Sequence, residues 1–503
     1  MSKVTYLFIF LFITSNISFS QSIDDSFSQK KMQKDLKTFI KIREAANSGL
    51  YTYRTKKEID STYLWAYNEI PHLKSYRDFY NLLTTLTDYE GSLHNGTYWS
   101  DKLWESLKNE SKGYFPLPLK IIEGRLLVNI ENKDIPLGSE IVSVNGHNKQ
   151  QLLREIDKYY TTDGFNTTGE KIGINKHFSK YYRYNFGLED EFKIVYKTSK
   201  HKQNQNIILN SVGYKKYYEN FANRHSQKLD NQLYEDIEES DYYLLKKINS
   251  KTAILTINSF SLGSGKDKSH LKYKHYLDSV FVDLNYNKFE NLIVDIRNNG
   301  GGNKPNDMFT LSYLSNSPQK EIRTAWIGFT ESIPYWKYFQ IDIPFYLKPF
   351  AKGKLKKIMK KELPIVKNNR RYYKDIETYQ PKENRFKGQV YLLTSPFVAS
   401  AASLFASMVA SNTNAIVIGE ETSGGYYGHN GSFPVEYKLS KSNFTIGFSI
   451  VNLTQDVKKK ETQPFGRGVI PDFIVEQTFK DFINNKDTQM VFILDLIKRN
   501  TKE

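Results

Sequence analysis

A chain of 503 residues, 39% hydrophobic and 15% aromatic, is too long for one ordinary core and too apolar for extended disorder, so two or three domains are expected. Cysteine is absent, which excludes disulfides, thiolate–zinc sites, a cysteine nucleophile and a lipid-modified cysteine. The formal charge of +16, from 71 Lys+Arg against 55 Asp+Glu, is scattered along the chain; no nucleic-acid module is legible, and the excess reads as a solvated basic surface.

The first twenty residues, MSKVTYLFIFLFITSNISFS, join Lys3 to an apolar run from Val4 to Thr14, with small Ser18 and Ser20 before Gln21. That order is expected of a secretory signal peptide at 1–20, giving an exported mature chain, periplasmic or extracellular, with no integral membrane segment. From 21 to 112 the pattern is helical: Phe27, Met32, Leu36, Phe39 and Ile40 recur at helix-like spacings. Tyr80 to Trp99 then passes from an apolar helix into a Gly/Asn loop. From 113 to 210 short strands alternate with turns, marked by Gly138 and Asn145-Gly146. Within that region Pro136 to Ile156, containing LGSEIVSVNG, resembles the second half of a PDZ domain. Such a module either binds a peptide strand by β-augmentation or serves as a structural spacer. A polar, tyrosine-rich connector, partly helical, is expected over 211–247.

From 248 to 480 the texture changes again. The runs KTAILTINSF, NLIVDIRNNGGG, KGQVYLLTS and AIVIGEETSGG read as buried strands alternating with helices, which predicts an α/β core with parallel pairs. An insertion over about 317–387, rich in Tyr, Trp and Lys, is expected to be helical and to act as a lid. A C-terminal helix is expected over 481–503.

Two stretches carry the chemistry. In LIVDIRNNGGGN a strand ends in three consecutive glycines, Gly300, Gly301 and Gly302, which suit a backbone that must approach a ligand closely. The Lys-Ser/Thr ending of a phosphate-binding loop is missing. In SPFVASAASLFASMVA, Ser403, Ser407 and Ser411 share one helical face and read as packing. Ser400 instead stands at the loop-to-helix junction, where it serves either as a helix N-cap or as an exposed nucleophile with the Ala401 N–H aimed at a developing oxyanion.

Taken in order, NLIVDIRNNGGG, VYLLTSPFVASAASLFA, AIVIGEETSGG and GRGVIPDFIV resemble the S41 peptidases, the C-terminal processing (tail-specific) proteases and their tricorn-like relatives, over roughly Lys251 to Gln477. The resemblance implies a crotonase/ClpP-like catalytic core, with the PDZ-like β-rich domain and helical N-terminal region beside it. It also implies Ser400 as nucleophile, Gly301 and Ala401 as oxyanion donors, and Gly300, Gly302, Gly424 and Gly425 as substrate-binding backbone. The processing branch pairs its serine with a lysine, and that position is Gly425 here; the helix acid of that branch is Ser403. The tricorn-like branch takes a histidine from the N-terminal region, which points to His94 in LTDYEGSLHNGTYW, with His429 as the rival base. The orienting acid of that branch has Phe465 at its nearest equivalent, leaving Glu461 as the closest upstream carboxylate.

The expectation is therefore an exported serine-type peptidase acting on peptides or unfolded proteins, with no cofactor or metal. The alternative is a catalytically inactive protein of the same fold that binds peptides or apolar ligands. A basic protein adhering to anionic envelope surfaces is a second alternative, indifferent to Ser400.

Overall fold

Every position of the strand Asn291–Asp295 is buried, which a strand achieves only where both faces of its sheet are covered. The computed structural model describes residues 21–199, 203–227, 238–374 and 376–500, so the expected signal segment lies outside the described residues. Asn291–Asp295 belongs to a six-stranded sheet ordered Phe473–Ile474, Ile416–Gly419, Gln389–Thr394, Asn291–Asp295, Thr252–Ile257, Tyr243–Lys247. Its pairings are parallel, except that Tyr243–Lys247 runs antiparallel to Thr252–Ile257.

Side chains alternate across this sheet, as the pleat requires. Ala253, Leu255, Ile257, Leu292, Val294 and Leu392 enter a core shared with the helices Lys268–Tyr286 and Ser400–Asn412. Ile254, Ile293, Tyr391, Leu393 and Ile418 face Ile493 and Ile497 of the helix Thr488–Asn500. The fold is α/β, with helices on both faces of a mostly parallel sheet. Tyr243–Lys247, assigned to the connector by sequence, is the antiparallel edge of this sheet.

A second, antiparallel sheet ties distant parts of the chain together. Its central strand Thr445–Gln455 pairs with Asn430–Lys438, Gly96–Tyr98 and Ile322–Ile327. The first of these begins directly after His429 and the second just after His94, so the sheet brings the N-terminal region onto the α/β core. The stretch 317–387, expected to be helical, holds the helix Lys348–Glu362 but also the strands Ile322–Ile327, Ile365–Lys367 and Arg370–Tyr372, which extend this sheet. Short strands rich in Lys and Arg with exposed Ile365 and Val366 carry no alternation strong enough to read.

The N-terminal region is helical at Gln29–Ala46, Lys56–Glu69, Tyr76–Tyr89 and Asp101–Lys108. Met32, Leu36 and Phe39 are fully buried, as their spacing implies. Between 113 and 210 a separate antiparallel sheet runs Leu119–Ile122, Arg125–Val128, Glu140–Val144, Glu191–Lys197, Gln205–Asn210. The helices Lys149–Ile156 and Gly169–Phe186 accompany it. Among the described residues no helix is long and apolar enough to cross a membrane.

Candidate active site

Ser400 opens the helix Ser400–Asn412 with a φ of +50°, a left-handed conformation that a non-glycine residue rarely adopts. Ala399 is the N-cap, so the capping role weighed for Ser400 is not the one its position allows, and no side chain caps this helix. The Ser400 hydroxyl lies 3.2 Å from Nε2 of His94. The other serines of the helix turn inward: the Ser403 hydroxyl donates to the Ser400 carbonyl at 2.8 Å and that of Ser407 to the Ser403 carbonyl at 2.7 Å.

His94 is held by an over-determined loop. Glu90, at the end of the helix Tyr76–Tyr89, accepts from Asn95 Nδ2 at 2.9 Å, and the Thr161 hydroxyl donates to the Asn95 carbonyl at 3.0 Å. The Leu93 N–H donates to Asp163 Oδ1 at 3.0 Å, while the Gly425 N–H donates to Oδ2 of the same carboxylate at 2.9 Å. Asp163 thereby joins the His94 loop to the segment after the strand Ile416–Gly419. A side chain at Gly91 or Gly164 would break this: a Cβ on Gly91 would meet the Gly164 carbonyl at 3.0 Å, and one on Gly164 the Gly466 carbonyl at 2.5 Å. Close approach of three loops is what these glycines permit.

Behind His94 stands His429, its ring 5.0 Å away centre to centre and its Nδ1 3.8 Å from Asp163 Oδ2. His429 is fully buried and makes no contact with Ser400, so the structure sets His94, and not His429, against the serine. Burial pushes the His94 imidazole down to about 4, partly offset by the nearby Asn430 backbone; its Nδ1 has no hydrogen-bond partner among the described residues. Burial also holds His429 well below the usual histidine range, with His94 and Lys304 adding repulsion. Asp163 goes the other way: burial pushes it up to about 7, against the two N–H groups it accepts.

The glycine loop lies against the serine. A Cβ on Gly301 would meet Ser400 Cβ at 2.7 Å and the Ala401 nitrogen at 3.1 Å, and its φ is +111°. The Gly301 N–H, expected to face an oxyanion, donates to Asn299 Oδ1 at 2.9 Å. The exposed Gly300 and Gly302 N–H groups make no hydrogen bond among the described residues. The loop is anchored by Arg297, which bridges Asp295 at the strand end and Asp487 before the C-terminal helix.

Glu461, Gly424 and Gly425 do not join the Ser400–His94 pair. Glu461 is exposed and contacts neither histidine, so it does not orient the base. Gly424 and Gly425 are buried: Gly424 packs on Ser403 and Leu93, and the Gly425 N–H is engaged by Asp163, so neither presents backbone to a ligand. Phe465 is exposed and packs on Tyr53 at 5.5 Å. Asp163 was not singled out in the sequence because Asp-Gly in TTDGFNTTG reads as turn punctuation.

Among solved structures, mature CPAF complexed with lactacystin is 13% identical, with 94% of this chain and 98% of that chain covered and a TM-score of 0.60. Mature CPAF alone is likewise 13% identical, with 91% and 94% covered and a TM-score of 0.56. At that identity the likeness is one of fold. No curated protein matches the sequence. The model of peptidase family S41 matches residues 251–323 and 351–475, which hold the glycine loop and Ser400, and the match supports an S41 family peptidase over that part of the chain.

Proposed function

We propose that the protein is an exported serine-type peptidase in which Ser400 attacks the peptide carbonyl and His94 takes up and returns the proton. The observation that carries the reading is the 3.2 Å approach of His94 Nε2 to a serine hydroxyl on a left-handed residue at a helix start. With His94 neutral and protonated at Nδ1, Nε2 accepts the hydroxyl proton as the Oγ–C bond forms. The tetrahedral oxyanion takes the Ala401 N–H, which lies in the first helical turn where N–H groups lack an intrahelical acceptor. A second donor comes from the glycine loop: either Gly301 leaves Asn299, or Gly302 serves in its place. His94 then protonates the leaving amine, and water repeats the sequence on the acyl-enzyme. His429 and Asp163 are positioning residues, fixing the loop and wall behind the imidazole. Export rests on the first twenty residues.

The test is hydrolysis of a peptide library read by mass spectrometry, together with labelling by a fluorophosphonate, for the native protein and Ser400→Ala. Cleavage and labelling confined to the native protein are expected. Absence of both in the native protein would leave a peptide-binding protein on this fold.

The pH profile follows from burial. A base must be unprotonated, and His94 stays neutral down to about pH 4. The plateau of kcat/KM is therefore expected to extend well below pH 6.5, with half-maximal activity near pH 4 to 5 provided the fold persists. A half-maximum near 6.5 would show a solvated histidine instead. The same shift acts on stability: between about pH 6.5 and 4 the unfolded chain binds a proton that folded His94 refuses, so the contribution of His94 to stability falls as pH falls through that window, while that of Asp163, raised to about 7, runs the other way. His94→Phe should flatten that slope in thermal melts.

A further inference from the structure

A cavity of about 600 Å³ opens beside the serine. Ala399 and Leu93, the residues preceding Ser400 and His94, both line it, so it opens next to the pair. Much of the wall is aromatic, with Tyr98, Trp99, Trp104 and Tyr160 among the lining side chains. Tyr80 and Trp99 stack at 3.7 Å, which stiffens the floor. This shape suits a peptide side chain or chain end rather than a folded surface.

The charges in the cavity are unequal. Lys158 is satisfied: its ammonium donates to Asn185 Oδ1 at 2.7 Å and lies 4.0 Å from Glu155. Asp101 sits at the rim with its carboxylate exposed, 3.8 Å from Lys438. Lys180 is half-buried, 5.3 Å over the Tyr181 ring, and donates no hydrogen bond to any described residue. Burial, with Lys176 nearby, pushes its ammonium down to about 7, and no carboxylate opposes the shift. A desolvated cation without a counter-ion is costly, and an incoming anion would remove that cost. Tyr160, kept protonated by burial, adds a neutral hydroxyl to the same wall.

We infer that this cavity is a specificity subsite for a carboxylate of the peptide substrate, with Lys180 as its counter-ion and the Tyr/Trp wall packing the adjoining apolar atoms. The carboxylate comes either from an acidic side chain or from the chain's own C-terminus. The inference deepens the peptidase reading and rests on it only for the term substrate, because occupancy can be read without turnover.

The experiment uses full-length Ser400→Ala protein and follows tryptophan fluorescence, to which Trp99 and Trp104 of the cavity wall contribute among five tryptophans, during titration with three matched peptides. One carries Glu with an amidated end, one Gln with an amidated end, and one Gln with a free C-terminus. A charge-assisted hydrogen bond favours the matching carboxylate peptide by about 10- to 100-fold in Kd over the neutral one. Which carboxylate peptide gains identifies the source. Lys180→Met is expected to erase the difference between the carboxylate and neutral peptides, and Lys180→Arg to restore it. Equal Kd values for all three peptides on the Lys180-containing protein would overturn the inference, as would a preference that survives Lys180→Met. Failure of the native protein to cleave any peptide would overturn the peptidase reading and leave these binding results standing.

Discussion

Ser400→Ala is expected to lower peptide hydrolysis by a factor on the order of 10⁴ to 10⁶, and His94→Ala by a comparable factor. The double variant should be no slower than the worse single one, because a nucleophile without its base and a base without its nucleophile leave the same residual binding and oxyanion stabilisation. Additive losses would mean that the 3.2 Å contact between the two side chains does not operate as a unit. His429→Ala serves as the contrast: it removes a group 5.0 Å from the His94 ring and should reduce the rate through misplacement of His94. The φ of +50° at Ser400 adds a second readout. A non-glycine residue held there costs about 1–3 kcal/mol, strain that the surrounding structure sustains. Ser400→Gly should therefore abolish hydrolysis while raising the thermal midpoint, and Ser400→Ala should abolish it without that gain. Loss of activity coupled to gain of stability marks a residue kept for chemistry.

The parts of this molecule that were legible in the sequence share one physical property: they are buried on both sides or repeat at a fixed period. The strands of the α/β core are continuous apolar runs because helices cover both faces, and the helix Gln29–Ala46 shows its buried Met32, Leu36 and Phe39 at helical spacing. Of the strands after Ser317, Ile365–Lys367 is the exposed end of its sheet, and Ile322–Ile327, though inside the sheet, buries only Ile322, Ala325 and Ile327, too irregular a spacing to read as alternation. Ser400 was singled out because its loop-to-helix junction can expose the hydroxyl and the S41 resemblance falls on it, and His94 because a histidine in a Gly/Asn loop has little to pack against. The resemblance implied that they meet, but no window of sequence shows how: 306 residues separate them, and the strand Gly96–Tyr98 joining Thr445–Gln455 closes that distance. The aromatic cavity escaped for the same reason, whereas Asp163 was hidden in what reads as turn punctuation. The lining runs from Tyr80 to Tyr184 and on to Ala399 and Ser423, so no window of sequence contains it. The processing-branch lysine position was visible as Gly425, and the resemblance pointed to His94, with His429 as rival, in its place. Gly425 gives its N–H to Asp163, and the space beside Ser400 is taken by His94.

Arg43→Ala is expected to destabilise the protein by about 3–5 kcal/mol at neutral pH, the range for removing one partner of a buried ion pair. Arg43 and Glu90 are almost completely inaccessible, with side-chain exposures of 0% and 1%. The guanidinium donates through Nε to Glu90 Oε1 at 3.0 Å and through Nη2 to Oε2, and it stacks 4.6 Å over the Phe448 ring. Glu90 also accepts from the Tyr63 hydroxyl at 3.0 Å and from Asn95 Nδ2 at 2.9 Å, next to His94. Removing Arg43 leaves a carboxylate in an apolar interior with only neutral donors, and burial already raises its pKa while Arg43 is present. The carboxyl can escape by taking up a proton, so the deficit measured by denaturant titration should shrink as pH falls below neutral. Arg43→Met with Glu90→Gln removes both charges and should recover part of the loss, since no uncompensated charge remains. Activity should not recover with it: the Glu90→Gln change puts an amide where Asn95 now meets a carboxylate, loosening the loop that sets His94 against Ser400. Stability restored with kcat/KM still low would separate the pair's two roles, one in the core and one in aiming the base. A double variant that kept both would show that the loop is held by Thr161 and Asp163 alone.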